Sequence, residues 1–94
     1  MDGDIYKAQS LLRSFKNKLR SEEIALDETL QEVELKEAEL IQTVSPLLRA
    51  KLIEALVSLS AEIENKEAMI ADLDDQIDQV SAELNHLQAH NSYQ

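Results

Sequence analysis

The sequence predicts an all-α fold: an antiparallel two-helix coiled-coil hairpin that turns near Ser45-Pro46 and dimerises into a four-helix bundle. Three observations predict it. Apolar residues recur every seven positions through both halves of the chain, and a single proline, Pro46, separates the two series. The residues that turn a chain between strands are scarce, with one glycine in 94 residues, Gly3, at the start. One domain over 1–94 is expected, with helix 1 over about 4–43 and helix 2 over about 46–90.

In the first half, Ile5, Leu12, Leu19, Leu26, Val33 and Leu40 form an unbroken series, here labelled position a. Their d partners are Ala8, Phe15, Glu22, Thr29, Lys36 and Thr43, so this seam is strong at a and weak at d beyond Phe15. Leu30, Ile41 and Val44 are expected to widen it where d is polar. In the second half Leu56, Ile63, Ile70, Ile77 and Leu84 take a, and Leu52, Leu59, Lys66, Leu73, Val80 and Leu87 take d. Heptads sustained this far, with charged residues between them, specify coiled-coil helices. Aromatics make up only 3% of the chain, which suits a thin aliphatic seam better than a thick globular core.

Helix limits follow from capping chemistry. The carboxylate of Asp4 or Asp2 can accept from the free N–H groups that open helix 1. Ser45 is a favoured N-cap residue, and Pro46 suits the first helical position because its missing N–H has no partner there. Proline also turns Ser45 away from helical geometry.

A proline can instead kink one long rod, and two arguments favour reversal. In an antiparallel pair, a layers meet d layers. Setting Ile5 against Leu87 also sets Leu12 against Val80, Leu19 against Leu73, Phe15 against Ile77, Thr29 against Ile63 and Val33 against Leu59. That register places the reversal at the proline. The second argument is charge. Residues 1–20 hold five basic and two acidic groups, a net of +3; residues 21–45 hold one basic and eight acidic, a net of −7. A hairpin brings the basic segment beside Asp72, Asp74, Asp75, Asp78 and Glu83, whereas a parallel pair of rods stacks like charge on like. Against the hairpin, no glycine follows helix 1 to supply the usual C-terminal cap.

Composition also excludes functions. A net charge of −10 opposes general nucleic-acid binding, since most of the surface repels phosphate. The exception is the short basic run of Lys7, Arg13, Lys16, Lys18 and Arg20. With no cysteine there is no disulfide framework or zinc–thiolate site. No apolar run approaches a membrane span, and the N-terminus does not read as a signal peptide, so a soluble, intracellular, cytoplasmic protein is expected.

Two motifs superficially suggest metal. Asp72, Asp74, Asp78 and Glu83 fall where an EF-hand loop places ligands, but the loop's obligatory glycine is replaced by Ile77, itself a heptad residue. His86 and His90 share a helical face, but Leu87 stands where the zincin motif needs glutamate. An acidic helix face and an exposed helix end account for both. Without a phosphate loop or a folded cleft, catalysis has no scaffold, so neither an enzyme nor a cofactor is expected. Lys36 and Lys66 are read as snorkelling side chains.

The seam residues of the hairpin are expected to include Leu12, Phe15, Leu19, Leu59, Ile63, Leu73, Ile77 and Val80. Near the turn, Ile41, Val44, Leu47, Leu48, Leu52, Ile53, Leu56, Val57 and Leu59 point in too many directions for one seam. Ile41, Val44, Leu48, Ile53 and Val57 are therefore the expected partner or oligomer interface, docking a second copy or a partner helix. The reading that follows is a non-enzymatic protein–protein interaction module, a homo-oligomeric scaffold or adaptor with the dimer favoured. A small acidic helical chaperone holding a secretion or assembly subunit is the alternative. A nucleic-acid regulator using the basic segment is a third, and it falls if Arg13, Lys16, Lys18 and Arg20 pair with the opposing acids.

Overall fold

The computed structural model describes the backbone of residues 2–92 and the side-chain surroundings of residues 3–90. Among the described residues there are two α-helices and no strand: α1, Asp2–Gln42, and α2, Pro46–Ser92. They pack on each other as a hairpin, joined only by residues 43–45. α1 starts two residues earlier and ends one residue earlier than read from the sequence, and α2 starts at the residue read and runs two residues further. Asp4 lies inside α1 and does not cap it, and the side chain of Asp2 falls outside the described residues. Contacts divide the chain into two compact units. One joins the part of α1 up to Ser21 to the part of α2 from Ile70 onward; the other is Glu22–Met69 and contains the turn. In each, a stretch of α1 packs against an oppositely running stretch of α2.

The turn shows how α1 ends without a glycine. Among the described residues none has positive φ, so the exit from the helix uses no left-handed residue. The free carbonyls of the last turn are met in other ways. The Thr43 hydroxyl donates to the Glu39 carbonyl (2.6 Å), and the Thr43 N–H donates to the Leu40 carbonyl (3.3 Å). Arg49, one turn into α2, reaches back: its Nη1 donates to the carbonyls of Leu40 (2.7 Å) and Thr43 (3.0 Å). The last turn of α1 holds no basic residue of its own, so Arg49 also brings the cation that the negative end of a helix favours. The start of α2 is simpler. Pro46 is its first residue, and the Ser45 carbonyl accepts from the Arg49 N–H at 2.9 Å. Ser45 thus opens the helix through its backbone; among the described residues its hydroxyl makes no hydrogen bond, contrary to the side-chain cap expected.

The heptad positions form the inner face of both helices. Along α1, Ile5, Leu12, Phe15, Leu19, Leu26, Val33 and Leu40 are half-buried and Ala8 is buried. The polar d residues are drawn in as well: Thr29 is buried, while Glu22, Lys36 and Thr43 are half-buried. Along α2, Leu59, Leu73 and Val80 are buried, and Leu52, Leu56, Ile63, Ile70, Ile77, Leu84 and Leu87 half-buried. Burial of Thr29 is tolerated because its hydroxyl donates to the Ala25 carbonyl one turn back, at 3.0 Å. Lys66 sends its Nζ out to Glu62 at 3.4 Å, the favourable order for an i, i+4 pair, and keeps its stem on the seam.

Two expectations are corrected. Leu30, Ile41 and Val44 do not widen the seam; all are exposed, Val44 at 89%. Leu30 and Ile41 sit one residue past d and a, and a rotation of ~100° per residue carries them off the inner stripe, while Val44 lies in the connection, outside either helix. The predicted opposition of basic and acidic segments also makes no close contact. Among the described residues the Lys66–Glu62 pair is the only ion pair within 4.0 Å. Lys7, Arg13 and Arg20, like Asp72, Asp75 and Asp78, occupy outward heptad positions, so their attraction acts only through solvent, where it is weak and screened.

The seam is thin: Leu73, the most enclosed of the buried apolar residues, still exposes 4%. Leu73→Ala is expected to lower unfolding free energy by about 2–4 kcal/mol, whereas Leu47→Ala, on the surface, should stay within about 0.5 kcal/mol. Arg49→Ala should cost about 0.5–1.5 kcal/mol through the uncapped end of α1, with Arg49→Lys falling between. Chemical denaturation followed by helical circular dichroism tests all three.

Candidate interaction surface

The groups that could carry chemistry do not converge. Among the described residues no three His, Cys, Asp or Glu side chains are placed to hold a metal ion. His86 and His90 are exposed on α2, and Ile77 stays on the inner face, so Asp72–Glu83 is continuous helix and not a loop. No helix among the described residues is long and apolar enough to cross a membrane. Arg13, Lys16, Lys18 and Arg20 are all exposed and, among the described residues, make no ion pair within 4.0 Å.

What the structure does assemble is apolar surface, most densely around the turn. Leu40, Leu52 and Leu56 fill the inner stripe there, and Pro46 starts α2 immediately after the connection. With only one neighbouring helix, the large apolar side chains off that stripe face solvent. Ile41, Val44, Leu47, Leu48, Ile53 and Val57 are all exposed, from 49% at Ile53 to 89% at Val44.

These residues lie on different elements and helix faces. On α2, Ile53 and Val57 lie within ~40° of each other about the helix axis, and Ala50 and Ala61 continue their strip. Leu48 points to the other side of the seam. With Leu52 and Ala55 of α2, Lys36 and Glu39 of α1 and Thr43 of the connection, it lines a shallow groove of about 310 Å³. Ile41 projects from α1, and Val44 stands in the connection itself. Of the five residues read from the sequence as one interface, Ile53 and Val57 share a strip of α2, Leu48 borders the groove, Ile41 is on α1 and Val44 is in the connection; all five are exposed.

Sequence reasoning passed over two features. Arg49 reads as an ordinary surface cation, since nothing local shows that a residue of α2 caps α1. The outward pair Ile24 and Leu35, 55% and 68% exposed, was also missed, although neither belongs to a or d of its own helix. No protein-family model, no curated protein and no solved structure matches this chain, so its function has to be read from these surfaces.

Proposed function

We propose that the chain is a non-enzymatic protein–protein interaction module, a helical hairpin that self-associates as a dimer and serves as a scaffold or adaptor. One observation carries this reading: six large apolar side chains around the turn are exposed while the seam beneath them is only partly buried. Exposed apolar area of this kind, rimmed by charge, is characteristic of surfaces that are covered in an assembly. The strip of Ile53 and Val57 is the best candidate for that contact, because its residues fall at i and i+4 on one face of a helix. Packing two hairpins along it would give a four-helix bundle, in which each helix is covered on two sides.

The thin seam also supports a second reading, a small acidic chaperone whose bound client would complete the apolar core. Nucleic-acid binding by the basic segment stays open, because Arg13, Lys16, Lys18 and Arg20 form no ion pair within 4.0 Å among the described residues. The net charge of −10 still opposes it.

Solution mass decides the leading reading. Wild type should sediment as a dimer, and Ile53→Glu/Val57→Glu should be a folded monomer with unchanged helical dichroism at moderate concentration. Equal masses for the two proteins would exclude this strip as the contact.

A further inference from the structure

The face of α1 turned away from α2, between Ile24 and Gln42, has a pattern of its own. At ~100° per residue, Ile24, Gln31, Leu35 and Ala38 fall within ~60° of one another, centred opposite the seam residues Val33 and Leu40. All four are exposed, Leu35 at 68%. Asp27 and Glu34 flank this stripe on one side; Glu28, Glu32 and Glu39 flank it on the other. All five acids are exposed, and none makes an ion pair within 4.0 Å. Residues 22–42 contain one base, Lys36, which is half-buried on the seam side and cannot neutralise the outer face.

A face serving only solubility has no use for Ile24 and Leu35 at its centre. A face built to meet a second copy of itself would stack acidic rims on acidic rims, which disfavours that pairing. A stripe of Ile24, Leu35 and Ala38, interrupted by Gln31, whose amide donates to Asp27 at 3.0 Å, runs between two acidic rims and is instead complementary to a helix whose own apolar stripe is bordered on both sides by Lys or Arg, the a/d and e/g pattern of a coiled-coil partner. We propose that the outer face of α1 from Ile24 to Ala38 docks a basic amphipathic helix of a partner protein. This surface is separate from the Ile53–Val57 strip and does not depend on self-association.

The test uses the full chain and a fluorescent three-heptad peptide with Leu at a and d and Lys at e and g. The peptide is expected to bind, with affinity falling as salt is raised. A control peptide with the same Lys residues but Ser at a and d should bind at least about tenfold more weakly, and Ile24→Gln/Leu35→Gln should weaken the Leu peptide by a similar factor. Glu28→Gln/Glu32→Gln should weaken binding and flatten its salt dependence. Ile53→Glu/Val57→Glu should bind as wild type does, even as a monomer, so failure here and failure of the dimer reading are separable. Absence of binding, equal binding of both peptides, or an affinity unchanged by Ile24→Gln/Leu35→Gln would overturn the proposal. A fall in the chain's own solution mass on Ile24→Gln/Leu35→Gln would overturn it as well, by assigning the face to a second copy and its basic segment.

Discussion

A helix with one neighbour can bury only one stripe of its surface, about two or three residues in every seven. That limit governs this chain, in which 44% of residues are hydrophobic. The a and d positions use the stripe completely, even where they are polar: Thr29 is taken inside with its hydroxyl turned back on its own helix, and Lys66 lies along the seam with its charge led outward to Glu62. Among the described residues the large apolar side chains at other positions are left outside. The exposed Ile53, Val57, Ile24 and Leu35 are thus a consequence of helix count and not of loose packing. For the same reason the seam alone is a modest source of stability, and a further helix from any partner would add apolar burial without rearranging the pair.

The reversal depends on cooperation between the ends of the two helices. A helix end leaves carbonyls unmet, and chains commonly resolve this with a left-handed glycine. Here residues 43–45 make the connection without positive φ, and a guanidinium from the start of the next helix takes the place of the missing cap. One side chain therefore ties the end of α1 to the beginning of α2. Proline complements it, since the first turn of α2 loses nothing by lacking the Pro46 N–H.

Charge acts at a different level. The opposition of basic and acidic segments predicted the same topology as the heptad register, yet it forms no close ion pairs among the described residues. Blocks of charge bias which helices can lie side by side through the summed field, while individual exposed pairs contribute little. The acids of α1 stay unneutralised beside exposed apolar residues, and that combination makes its outer face more selective about a neighbour than the strip on α2.

The sequence by itself determined the helical class, the two helices and their limits to within a few residues, and the inner stripe of each, because a seven-residue period and one proline encode these locally. It also showed that apolar residues near the turn exceed what one seam can hold. It could not show how those residues divide, since Leu48, Ile53 and Val57 are close in number but fall on different sides of α2. Nor could it show Arg49 as the cap of α1, a contact that exists only once the chain has turned back. Those outcomes belong to the tertiary structure: direction around a helix axis and proximity across a reversal are properties of the folded pair, and no local pattern carries them.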